Sequence, residues 1–185
     1  LNTGIIEADF MISENGQVVV ITDDQAIQNN VIRGGVKLQK RDFETKEDKP
    51  QGSATLQGAV FEIVNKSANP VLVEGTLYQV NDVVKTITTG PDGSWTSAAD
   101  LLPYGTYLVR EVQPSEGYLL EGILERTFQI RENGVIGDMT GVDQSIQDQV
   151  KRGDLKFVKI EDGTDRRMAN IPFKITSKTT GESHV

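Results

Sequence analysis

Val36-Lys37-Leu38-Gln39-Lys40 alternates apolar and polar side chains with a period of two, the mark of a strand with one buried face. Val36, Leu38 and Lys40 share one face, Lys37 and Gln39 the other. The face with the two apolar residues turns to a core, so Lys40 is directed inward with them. Ser145-Ile146-Gln147-Asp148-Gln149-Val150 repeats the pattern with the opposite charge: Ile146, Asp148 and Val150 share a face, which places a carboxyl among apolar neighbours. A buried ammonium or carboxylate is rare without a partner, so each of these two residues calls for one.

Outward from these two stretches, further segments rich in Val, Ile, Thr and aromatics alternate with turn signals. Val60–Asn65, Leu77–Val80, Val83–Thr88, Thr106–Val112 and Arg126–Arg131 join the two above to make seven candidate strands. Asn15-Gly16, Asp92-Gly93 and Asn133-Gly134 are dipeptides that supply positive φ at a hairpin, which predicts antiparallel neighbours. Thr96–Leu102 alone hints at a helical turn. On the strand 106–112, Glu111 is in phase with Tyr107 and Val109, but Leu108 and Val112 lie on the opposite face. The pattern leaves either direction open for Glu111.

The chain also resembles itself. Phe10–Gly16 is similar to Phe128–Gly134, Ile27–Gly34 to Ile146–Gly153, and Val36–Lys40 to Leu155–Lys159, at shifts of 118 or 119 positions. Such a period is domain-sized, well above the roughly 20 to 50 residues of a solenoid repeat. The expected organisation is the closing strands of one repeat over residues 1–34, a complete repeat over 35–150, and the opening strands of a third over 151–185.

Composition removes several classes of function. A formal net charge of -8 without a basic cluster argues against nucleic acid, whose phosphates need localised Lys and Arg. No apolar run is long enough to span a bilayer, so no membrane insertion is expected in this fragment. The absence of cysteine excludes disulfides, thiolate metal sites and thiol nucleophiles, so covalent reinforcement would have to use other side chains. The single histidine, His184, argues against a His-cluster metal site and a Ser-His-Asp triad. Gly90-Pro91-Asp92-Gly93 lacks the Lys and Ser/Thr of a phosphate loop. Neither a metal nor a cofactor is expected.

Lys40-Arg41-Asp42, Leu56-Gln57-Gly58-Ala59-Val60-Phe61, Asp92-Gly93, Leu102-Pro103-Tyr104-Gly105-Thr106-Tyr107, Glu111 and Pro114-Ser115-Glu116-Gly117-Tyr118 follow one another in an order that resembles the collagen-adhesin B-type (Cna B-type) repeat of Gram-positive surface adhesins and pilins. The resemblance implies an all-β, immunoglobulin-like sandwich of about seven strands, flanked here by partial neighbouring repeats. It implies an isopeptide bond between Lys40 on the first strand and Asp148 on the last, with Glu111 as proton shuttle. By the same correspondence Asn29 is the acceptor of the preceding repeat and Lys159 the nucleophile of the next, each without its partners in this fragment. Two departures stand out: one extra residue in Pro114–Gly117, which shifts Tyr118, and Asp where Asn is the commoner acceptor. The implied role is a structural stalk repeat of a cell-wall-anchored surface protein or pilin, extracellular on a Gram-positive wall and not an enzyme. Its expected partners are adjacent repeats of the same chain and, through another domain, host extracellular matrix.

The chemistry agrees with that assignment. An amine attacks a carboxyl carbon when neutral, and a carboxyl accepts attack far better when protonated. Burial favours both neutral forms, and a protonated Glu could hydrogen-bond the acceptor carbonyl and relay protons to the departing water. The plain alternative is a buried Lys40–Asp148 salt bridge with Glu111 as a second carboxylate. Three other readings attach to single features: an adhesive module for host matrix or carbohydrate, with Arg152-Gly153-Asp154 as an integrin motif; a sugar platform at Trp95 and Tyr104; and a glycosidase-like acid pair of Glu111 with Asp148.

Overall fold

The computed structural model describes residues 7–21, 29–178 and 181–185. Among these the secondary structure is strand without helix: β1 (Arg33–Asp42), β2 (Val60–Asn65), β3 (Val71–Val73), β4 (Thr76–Tyr78), β5 (Val83–Thr88), β6 (Ser94–Thr96), β7 (Leu102–Pro103), β8 (Gly105–Gln113), β9 (Tyr118–Ile123), β10 (Glu125–Ile130), β11 (Ile136–Met139), β12 (Ile146–Val150), β13 (Ile175–Thr176) and β14 (Ser183–His184).

Two sheets make an immunoglobulin-like sandwich. One is antiparallel throughout, in the order β10-β8-β2-β5. The other is organised around β1, whose ten residues serve four partners in turn. Its first half pairs in parallel with β11 (Gly35↔Ile136 to Leu38↔Met139) and its last three residues with β12 (Lys40↔Ile146 to Asp42↔Asp148). β7 and β6 pair antiparallel with Arg33–Gly34 and Lys37–Gln39, and β9 extends the sheet beyond β12. Val36 and Leu38 of β1, Met139 and Ile146 from its parallel partners, and Phe61, Ile63, Tyr107, Val109, Phe128 and Ile130 from the other sheet form the core. Tyr107 stacks on Phe128 with ring centroids 5.6 Å apart and donates its hydroxyl to the Pro103 carbonyl at 2.9 Å, so its one polar atom is satisfied inside the core. A smaller cluster of Leu56, Tyr118 and Val150 closes the end of the sandwich near Lys40.

Each of the seven expected strands overlaps an observed one. Strands β3, β6, β7, β9 and β11 carried no such signal; they are short or interrupted by Gly, and most of them are strands because β1 or β12 offers them a ladder. The helical turn expected over Thr96–Leu102 is not formed: Thr96 ends β6, Leu102 begins β7, and between them Leu101 N–H reaches the Ala98 carbonyl at 3.4 Å in an isolated turn. The Asx-Gly dipeptides do make turns, with φ of 81° at Gly16, 76° at Gly93 and 73° at Gly134. They do not make hairpins. Gly93 lies between β5 and β6 and Gly134 between β10 and β11, pairs that belong to opposite sheets, and no strand flanks Gly16 among the described residues.

Outside the sandwich, residues 7–21 and 29–32 hold no strand, and residues 151–178 and 181–185 hold only an Ile160↔Arg167 bridge and the β13–β14 hairpin. Phe157 meets Phe173 edge to face with centroids 4.4 Å apart. Ile27 and Gln28 of the repeat match lie outside the described residues.

Candidate functional site

The parallel register of β1 with β12 sets Lys40 opposite Ile146 and Asp42 opposite Asp148. Lys40 and Asp148 are therefore two residues out of step on neighbouring strands, on the face turned to the core. Glu111 comes from the opposite sheet, on β8, where it pairs with Phe61 of β2. Along β8 the buried positions are Gly105, Tyr107, Val109 and Glu111, so the direction left open by the sequence is inward.

Lys40 Nζ donates to Glu111 Oε1 at 2.9 Å and Oε2 at 3.2 Å, and contacts Asp148 Oδ2. All three side chains are 0% exposed, which makes this a charged cluster sealed from water. The Asp148 carboxyl is fully buried, in contact with Lys40 Nζ and beside the Glu111 carboxyl. Burial pushes the Glu111 carboxyl up to about 8; the Lys40 ammonium opposes that rise and the Asp148 carboxyl adds to it. At neutral pH Glu111 is thus a buried acid, a proton donor beside Lys40 and Asp148. In that form Glu111 adds no negative charge of its own to the buried cluster.

Two residues complete the surroundings. The Tyr118 ring lies over Lys40 Nζ, 5.3 Å from its centroid, and the Tyr118 hydroxyl donates to Asp42 Oδ2 at 2.9 Å. Asp42 is itself buried and accepts from the Glu44 and Thr45 N–H groups and from Gln51 Nε2. Burial pushes the Asp42 carboxyl up, but these donors outweigh it and hold the group below the ordinary range. The alternation that turned Lys40 inward applies equally to Asp42, two residues on, and was the signal available for it.

The structure brings Lys40, Asp148 and Glu111 together and leaves Asn29 and Lys159 on exposed segments outside the sandwich. In the Arg152-Gly153-Asp154 tripeptide the Arg152 guanidinium is engaged by the Glu44 carboxylate, with Nε at 2.8 Å from Oε1. Trp95 packs against the core, while Tyr104 is half exposed beneath the Arg131 guanidinium, 4.6 Å from the ring centroid. Glu111 and Asp148 are both sealed, so neither carboxyl faces a cleft.

The family model of the SpaA prealbumin-like fold domain matches residues 34–145. The chain belongs to this family. The matched stretch of the prealbumin-like domain includes Lys40 and Glu111 and ends just before β12. Similar solved structures include the Bacillus anthracis TIE protein (22% identity, 67% of this chain and 18% of that one, TM-score 0.44). They also include the group B streptococcus pilus 2b backbone protein (19% identity, 70% and 46%, TM-score 0.44). Domains D2 and D3 of the major pilin SpaD from Corynebacterium diphtheriae are a third (17% identity, 68% and 52%, TM-score 0.42). The chain spans about half or less of the length of each. No curated protein sequence matches it.

Proposed function

We propose that residues 35–150 are a structural stalk repeat of a Gram-positive surface protein or pilin, cross-linked by an isopeptide bond that the domain forms between its own Lys40 and Asp148. The observation that carries this reading is the placement of Lys40 Nζ between the Glu111 and Asp148 carboxyls with all three side chains sealed from water.

In that dry site the proton of the ammonium passes to the Asp148 carboxylate, because two neutral groups cost less than two charges where water cannot solvate them. The Nζ lone pair then attacks Cγ of Asp148. Glu111 gives its proton to the departing oxygen and takes one from the nitrogen, returning to its acid form. An amine and a carboxylic acid become an amide and one water. The reaction happens once per chain on the chain's own side chains, so it has no turnover and needs no cofactor.

The joined residues lie 108 positions apart (148 − 40), on the first and last strands of the sandwich. Tension entering near β1 and leaving near β12 would pass through the amide and bypass the core, which suits a stalk that carries load. Segments 1–34 and 151–185 then belong to the neighbouring repeats, with Asn29 and Lys159 as their cross-linking positions. Intact-mass measurement tests the bond directly: the expected protein is one water lighter than its sequence. A full-weight protein leaves the buried salt bridge as the right description.

A further inference from the structure

We propose that Tyr118, tethered through its hydroxyl to Asp42, is a positioning residue for this cross-link, an inference that rests on the reading above. Lysine has a long side chain with many accessible rotamers, and an attacking nitrogen must be held close to its path. The two carboxyls contact Lys40 Nζ from the opposite sheet and from the neighbouring strand. The Tyr118 ring is a further wall, with its centroid 5.3 Å from the nitrogen.

That wall is tied to both reacting strands. Its backbone is on β9, where Tyr118 pairs with Val150 of the strand that bears Asp148. Its hydroxyl is fixed to Asp42, on the strand that bears Lys40 and two residues from it. Asp42 is held in turn by the Glu44 and Thr45 N–H groups and by Gln51. The ring thus bridges nucleophile strand and acceptor strand at the level of the reacting atoms.

Filling the core would ask only for an apolar side chain, yet this one buries a hydroxyl against a carboxylate, a choice that costs desolvation and gives orientation. The face of the ring also suits the chemistry. When the amine attacks, its nitrogen becomes cationic before shedding a proton, and an aromatic face attracts that charge.

The test follows water loss by intact mass in freshly synthesised full-length chains, with Trp95 fluorescence reporting folding. In folded Y118L, which lacks ring and tether, cross-linking should slow by roughly ten- to a hundred-fold. Y118F keeps the ring, removes one oxygen, and should slow by only about threefold, as expected for one lost tethering hydrogen bond. Y118F gives a readable rate even if Y118L does not fold. A wild-type rate in Y118F overturns the tether, and a wild-type rate in folded Y118L overturns the positioning role altogether. Absence of water loss in the wild type is a different failure, which removes the cross-link itself.

Discussion

Replacing Glu111 by Gln separates the bond from the fold. Burial holds the Glu111 carboxyl neutral at pH 7, with its titration pushed up to about 8, so an amide of the same shape reproduces its charge and its capacity to accept from Lys40. What Gln lacks is a proton to give and take. The variant should fold with the Lys40–Asp148 pair in place and remain at full weight, one water heavier than the wild type. The stability difference between the two then reports the cross-link. By analogy with a disulfide closing a loop of 108 residues, the chain-entropy model gives about 5 kcal/mol. For a sandwich of this size that corresponds to a fall in Tm of roughly 15–30 °C. Calorimetry of wild type and variant at pH 7, with intact mass on the same samples, measures both quantities. A variant that loses water as completely as the wild type would refute the proton-shuttle role. A full-weight variant with an unchanged Tm would refute the argument that the bond stabilises by constraining the unfolded chain.

Cross-linking should be fast below about pH 8 and slow as pH rises through that value, because the reactive form of Glu111 is the protonated one. A pH series of water-loss rates checks this, and a rate that climbs through pH 9 would contradict it. The sign for stability is the same: before the bond forms, the folded chain keeps a proton on Glu111 that the unfolded chain sheds near pH 4.5, so the unbonded fold loses stability as pH rises from there to about 8. Gly122 has φ of 126° and faces Asp148 in the β9–β12 ladder, and a Cβ there would sit 2.3 Å from the Gln147 carbonyl oxygen. Gly122→Ala should destabilise the domain by about 3 kcal/mol in a urea titration and slow the cross-link by displacing the acceptor strand; a loss below about 0.5 kcal/mol would show that the pairing tolerates the shift.

Much of the site was legible in the chain because two of its members sit on strands with clean alternation. Val36, Leu38 and Lys40, like Ile146, Asp148 and Val150, have apolar neighbours two residues away that declare which face is buried. Glu111 had apolar residues on both faces of its strand, and Leu108 and Val112 on the outer side concealed its direction. Asp42 was readable by the same alternation as Lys40, but a carboxyl just beyond a strand's apolar residues looks like the start of a loop. The Asx-Gly turns show the limit of local signals. Their glycines adopt the positive φ that the dipeptides imply, yet the strands they connect pair with distant partners.

By itself, the sequence determined the period of the strands and the placement of a lysine and an aspartate on buried faces, since each depends on side chains close together in the chain. Only the tertiary structure decided that β1 pairs in parallel with β11 and β12, that Glu111 crosses from the other sheet to meet Lys40, and that the Tyr118 ring, bonded through its hydroxyl to Asp42, lies over the nitrogen. The physical reason is that ladder partners and a shared dry cavity arise from contacts between residues as many as 108 positions apart, where alternation carries no information.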